Sequence, residues 1–197
     1  YGLVGSEMCI RDRVIAGNDF NYVKDHAEAL RHAGKYNIVS CNSKAIEYGE
    51  VNLSKYAMVD LLLGNEKDDG HSLYYYKTFK PALRQQLTKY LNNRGKLFVS
   101  GSYLASDMQG VDEQDWLKNN LKITFDGANY DNYNSVVSGM GMSFDVYRTI
   151  NEQHYGAYTP DYILPVDNAF STLTYADGKT AAVALSLIHI SEPTRPY

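Results

Sequence analysis

Gly95-Lys96-Leu97-Phe98-Val99-Ser100-Gly101-Ser102-Tyr103-Leu104-Ala105-Ser106-Asp107 is the stretch on which the fold turns. Lys96 to Ser100 reads as a buried strand that runs into a Gly-Ser turn and then a short helix over 103–107. Just upstream, Pro81, Ala82, Leu83, Leu87, Tyr90 and Leu91 fall at helical spacing. Pro81 sits at the start of that helix, read as 80–93, and Gly95 is its expected C-terminal stop. Helix, glycine stop, apolar strand and small-residue turn make the repeating unit of an open α/β sheet. Ligands of such sheets bind beyond the carboxyl ends of the strands, so any chemistry belongs at Ser100 to Asp107.

Working outward, Tyr56-Ala57-Met58-Val59-Asp60-Leu61-Leu62-Leu63 is the most apolar run and ends at Gly64. A continuous run of this kind predicts a central strand covered on both faces. Before it, Val14 to Asn18 reads as the tail of a strand, with Asp19 or Asn21 capping a helix from about Tyr22 to His32 and Gly34 ending it. Tyr36 to Ser40 reads as a short strand, and Asn42 or Ser43 caps a brief helix over 44–48. Strands alternating with helices imply parallel pairing with right-handed crossovers, hence a three-layer, doubly wound, mostly parallel sheet.

After residue 107 the pattern changes. Asp112 to Leu117 starts a short helix with acids in its first turn, favourable to the helix dipole. Lys122 to Phe125, Ser135 to Ser138 and Met142 to Arg148 read as β-structure, the last two joined through Gly139-Met140-Gly141. Glu152 to Ala169, punctuated by Pro160 and Pro165, reads as a long loop. Phe170 to Tyr175 and Thr180 to Leu185 flank Ala176-Asp177-Gly178-Lys179, a hairpin turn. The parallel sheet is therefore expected to carry an antiparallel, loop-rich extension.

Both termini read as foreign to this domain. Residues 1–13 and 186–197 resemble translated sequencing-adapter read-through, and the chain lacks a starting Met. Excluding them leaves 14–185 as one domain, incomplete at both ends, with enough length for a real core. The formal net charge is −4, with no Lys/Arg cluster to serve as a nucleic-acid footprint. No apolar run approaches the roughly 20 residues that span a bilayer. Cys9 falls in the excluded segment, so Cys41 stands alone and no internal disulfide is expected. The 18 tyrosines are the one compositional excess. A ring stacks on apolar faces while its hydroxyl bonds to polar groups, which suits a glycan-facing surface as well as the edge of a core.

Ser102 occupies the place of a nucleophile elbow, yet Gly-x-Ser-x-Gly requires glycine where Leu104 stands. A serine nucleophile also needs a base, and His154 is the only downstream histidine candidate, with Asp107 as an acidic one. The structural reading makes Ser102 the N-cap of the helix 103–107. Asn18, Glu66, Ser100, Ser102 and Tyr103 are the ligand-binding candidates at the expected sheet edge. Asp107, Asp112, Glu113 and Asp115 lack the order of a calcium loop and read as a solvated helix start. His26 and His32, six residues apart, do not share a helix face at ligand spacing; His71 is a loop residue. Cys41 reads as a buried thiol rather than a nucleophile. No metal site and no cofactor are expected.

Ile15 to Phe20, Val59 to Gly64 and Leu97 to Tyr103 resemble segments of large secreted Bacteroidetes proteins often labelled xanthan-lyase-like or amidase-like. Asp177 to Ala184 resembles the segment before that family's last strand. The resemblance implies a flavodoxin-like domain akin to class I glutamine amidotransferases, secreted, periplasmic or at the cell surface. It also implies that other modules of a larger polypeptide, and glycan or peptidoglycan, are the partners. Class I amidotransferases carry a cysteine in the elbow and a His-Glu pair further on. Here the elbow holds Gly101 and Ser102, and no His-x-Glu follows. The expectation is a non-catalytic or degenerate module with loops 64–76, 101–112 and 126–135 at its binding edge. The alternatives are a hydrolase using Ser102 and a flavodoxin-like cofactor binder.

Overall fold

Four strands pair in parallel in the computed structural model, which describes residues 2–5, 22–68, 77–131, 133–147 and 156–185. They are β1 (Gly2–Gly5), β2 (Val39–Asn42), β3 (Met58–Gly64) and β4 (Lys96–Gly101), in the order β2-β1-β3-β4. The crossovers carry α1 (Tyr22–Ala33), α2 (Ser43–Glu47) and α3 (Pro81–Asn92). Gly2–Gly5 lies in a segment that the sequence reading sets aside. It takes the place between β2 and β3, with Leu3 level with Ser40 and with Asp60. Without a strand there, β2 and β3 would stand two spacings of about 4.8 Å apart with their ladder groups unpaired. The strand end expected at Val14–Asn18 and the caps Asp19 and Asn21 lie outside the described residues.

β3 is buried on both faces, as its apolar run predicts. Val59, Leu61 and Leu63 pack with Ile46 of α2 and with Leu83, Leu87 and Tyr90 of α3. Asp60 and Leu62, also buried, point to the opposite face by strand alternation, where α1 brings His26. Asn42 caps α2 as expected, its side chain accepting from the Lys44 N–H at 2.9 Å.

Gly95 is not the left-handed residue that ends α3, although its N–H closes the last turn by donating to the Tyr90 carbonyl at 3.0 Å. Arg94 supplies the left-handed residue (φ 61°). Gly95 is required for a different reason: a Cβ there would run into the Tyr90 ring. That ring is fixed by its hydroxyl, which lies 3.2 Å from the Tyr56 carbonyl and 3.1 Å from that of Lys96.

The second half is antiparallel. Helix α4 (Val111–Trp116) continues into a π-helical stretch, Leu117–Leu121, and then come six strands. These are β5 (Ile123–Ala128), β6 (Val136–Gly139), β7 (Met142–Asp145), β8 (Asp161–Pro165), β9 (Phe170–Tyr175) and β10 (Thr180–Ala184). β5 pairs with β8, and the others form a sheet in the order β10-β9-β6-β7. The fold class is therefore α/β. A mostly parallel sheet is found in four of the ten strands among the described residues.

β8 lies inside the range read as loop. Prolines at both of its ends hide it, because proline normally argues against a strand. It is tolerated here: Pro165 ends the strand, level with Ile123, and among the described residues β8 pairs with β5 alone. Ile123, Ile163 and Leu117 join the same buried cluster as β3 and α3, so the two halves share one core. Phe79 is fully buried against Trp116, ring centroids 5.0 Å apart, and the Trp116 indole N–H donates to Thr88 Oγ1 at 2.9 Å. Among the described residues no helix is long and apolar enough to cross a membrane.

Candidate functional site

At the carboxyl end of β4 the chain passes close to β3. A Cβ on Gly101 would lie 3.1 Å from Leu63 Cβ and 3.0 Å from Leu104 Cδ2, which restricts the position to a small residue. The next residue is held on three sides. The Ser102 N–H donates to the Gly64 carbonyl at 2.7 Å, its carbonyl accepts from the Asp161 N–H at 2.9 Å, and its hydroxyl donates to Asn65 Oδ1 at 2.7 Å. Asn65 in turn donates through Nδ2 to the Gly156 carbonyl at 2.7 Å. An amide oxygen accepts a hydrogen bond but does not take up a proton near neutral pH, so Asn65 orients the Ser102 hydroxyl without activating it.

The helix expected over 103–107 is a run of turns instead, and Ser102 is not its cap. The N–H groups of Ala105 and Ser106 are taken by Asp161 Oδ2, at 2.7 and 2.9 Å, from β8. A carboxylate brought from 55 and 56 residues away thus does the work predicted for a local serine. Burial pushes the Asp161 carboxyl above its ordinary range. The Ser106 hydroxyl, these two N–H groups and the charge of Lys67 pull against that rise.

Asp107 closes the other end of the turn. Its Oδ1 accepts from the Asp68 N–H at 3.1 Å, and its Oδ2 accepts from the Thr78 N–H and hydroxyl at 2.7 and 2.8 Å. Both oxygens are engaged in holding Asp68 and Thr78, which suits a clamp better than a proton carrier.

The remaining candidates divide. Glu66 is buried beside Asp107, with its carbonyl 3.0 Å from the Thr78 hydroxyl. Tyr103 is buried, and Lys67 Nζ lies 5.0 Å from its ring centroid. Ser100 sits on β4 level with Leu62 of β3. Ser102, Tyr103, Glu66 and Asp107 therefore gather at one edge. Asn18, His71 and His154 lie outside the described residues. Asp112 and Glu113 serve the helix start: Glu113 Oε2 accepts from the Gly110 N–H at 3.1 Å and pairs with Lys77 at 3.0 Å, while Asp112 meets Arg84 at 3.4 Å. Cys41 packs against the core, and burial pushes its thiol up, away from nucleophilic character. Among the described residues no group of three His, Cys, Asp or Glu side chains is placed to hold a metal.

Two features escaped the sequence reading. Asn65 and Asp161 carry no motif, and only the fold brings them to Ser102. Asp60, in contrast, had a signal: an acid inside the most apolar run. Its Oδ2 meets His26 Nδ1 at 2.8 Å and ties α1 to the sheet, while its buried Oδ1 makes no hydrogen bond. No protein-family model, curated protein or solved structure matches the chain.

Proposed function

We propose that this chain is a non-catalytic, or degenerate, amidotransferase-like α/β module of a secreted or cell-surface bacterial protein. Its role is to scaffold or to bind a ligand, in partnership with other modules of a longer polypeptide that handles polysaccharide or cell wall. The observation that carries the reading is the Ser102 hydroxyl committed to the neutral Asn65 amide at 2.7 Å, beside two aspartates engaged by turn N–H groups. A site built this way holds its shape, and among the described residues the hydroxyl of the candidate nucleophile is hydrogen-bonded to no base. The doubly wound, flavodoxin-like arrangement belongs to the same proposal; the strand order β2-β1-β3-β4 supports it. The test is turnover by the protein and by Ser102→Ala on panels of glycans, esters and amides. No turnover by either is the expected result, and turnover that Ser102→Ala abolishes overturns the proposal in favour of a serine hydrolase.

The reading of residues 1–13 and 186–197 as adapter sequence is likewise a proposal. Re-sequencing the source locus across both ends tests it. Loss of both segments from the re-sequenced frame is the expected result, whereas confirmation of both ends removes the idea.

A further inference from the structure

Residues 129–131 and 133–134 lie between β5 and β6, immediately beyond the position where Ala128 faces Asp161, and are held from within. Asn129, fully buried, donates its N–H to the Pro160 carbonyl and Nδ2 to the Asn134 carbonyl, both at 2.8 Å, and accepts the Asp131 N–H on Oδ1 at 3.2 Å. Asp131 Oδ1 accepts the Tyr133 N–H at 2.9 Å. Asn134 donates Nδ2 to Tyr162 Oη at 2.8 Å and accepts the Asp177 N–H at 3.2 Å. Every polar group of the two asparagine side chains is directed inward, into β8 and the hairpin 176–179 or across the loop. The tyrosines are left in water: Tyr133 is 95% exposed and Tyr130 77%.

An aromatic ring on a loop with a fixed backbone has only its own two side-chain torsions to order on binding, so little conformational entropy opposes contact. We propose that Tyr130 and Tyr133 form a stacking platform for a neutral glycan; this rests on the ligand-binding reading above and locates its site. A pyranose presents apolar C–H faces to a ring and hydroxyls to the acceptors beside it, a match for the amphipathic tyrosine. Asp126, Asp131 and Asp177 flank the loop, Lys179 pairs with Asp126 at 2.6 Å, and the whole chain carries a net charge of −4. That balance repels polyanions, which separates a neutral glycan from an acidic polysaccharide or nucleic acid. The platform is continuous with the Ser102 edge, since Asp161 bonds to Ser102 and pairs with Ala128, the residue before Asn129.

Affinity electrophoresis of the whole chain tests this, in gels containing soluble mixed-linkage β-glucan, galactomannan, dextran or alginate, with a proline-rich peptide titrated separately. At least one neutral polysaccharide is expected to retard the protein. Tyr130→Ala and Tyr133→Ala are each expected to weaken binding up to about tenfold, while Tyr133→Trp, which keeps a stacking ring, retains it. Circular dichroism confirms that the variants fold. Retardation that both alanine variants preserve overturns the platform and leaves the ligand-binding reading standing. No retardation of the unaltered protein by any neutral polysaccharide overturns both the platform and the glycan-binding reading. Binding to alginate alone or to the proline-rich peptide alone also overturns the platform as a neutral-glycan site.

Discussion

Two turns in this molecule each give backbone N–H groups to an aspartate, Asp161 in one and Asp177 in the other, and the two aspartates behave in opposite ways. Asp161 reaches from β8 to the turn 102–107 and is buried there, with two N–H donors on one oxygen. Asp177 sits in the hairpin turn it organises and is exposed. Its Oδ1 accepts the Lys179 N–H and its Oδ2 the Tyr162 hydroxyl, each at 2.9 Å. Burial raises the Asp161 carboxyl. For Asp177 the smaller burial effect is outweighed by the Lys179 N–H, the Tyr162 hydroxyl, Asn134 and the Lys179 charge, so its carboxyl is lowered. A carboxylate is thus stabilised by how many of its oxygens find donors, and strained by how much water it gives up.

The hardest test of that contrast lies at the far end of the 102–107 turn. Asp107→Ala removes three acceptor contacts and orphans a buried Thr78 N–H, for an expected loss of about 3–5 kcal/mol in urea unfolding. Asp161→Ala orphans the N–H groups of Ala105 and Ser106 and is expected to lose about 2–4 kcal/mol. A smaller loss from Asp161→Ala than from Asp177→Ala breaks the comparison outright. Asp177→Ala is expected to cost about 1 kcal/mol, because its partners turn to water when it is gone. Gly178→Ala belongs at the same level, about 1 kcal/mol, since φ at Gly178 is 84°, a conformation a side chain resists.

Acid titration sharpens the contrast further. The native Asp161 carboxyl titrates above its unfolded value of 3.8, so the folded protein binds the extra proton in that window. Its contribution is fully present below pH 3.8 and is lost as pH rises through the raised native value. Asp177 has the opposite sign: its contribution is present above 3.8 and lost as pH falls through the lowered native value. Relative to the unaltered protein, Asp161→Asn should therefore lack a decline in stability with rising pH. Asp177→Asn should lack a rise. Chemical unfolding between about pH 2 and 6 reads both, the Asp177 effect below 3.8 and the Asp161 effect above it, and identical profiles for the two variants would remove the distinction.

These turns also mark where sequence reading succeeds. Ala176-Asp177-Gly178-Lys179 announces its hairpin because an aspartate bonds to the N–H two residues on and the next glycine takes a positive φ. Met58–Gly64 and Pro81–Asn92 announce themselves equally well, because burial on two faces or one leaves a periodic trace. Lys96–Gly101 is a strand as expected but not a buried one: it lies at the sheet edge, with Phe98 50% exposed. The turn after β4 does not announce itself: a serine in the cap position looks sufficient, and nothing in its neighbourhood shows that Asp161 will take the free N–H groups. Gly95 is an intermediate case. The sequence marks it as a helix stop, and its N–H does close the last turn, but the requirement for glycine comes from the Tyr90 ring lying against it.

By itself, then, the sequence determined the α/β alternation, the double-sided burial of β3, the hairpin at 176–179 and the place of Ser102 at a strand end. Each of these rests on neighbours within a few residues, whose spacing is written directly in the chain. Only the tertiary structure decided that Gly2–Gly5 sits between β2 and β3 and that Asp161–Pro165 is a strand. It likewise decided that Asn65 holds the Ser102 hydroxyl and that Asn129 and Asn134 anchor the tyrosine loop. Those partners are dozens of residues apart or flanked by prolines that disguise them. They meet because one shared core brings β3, α3, β5 and β8 together, and hydrogen bonds of that range leave no periodic mark on the chain.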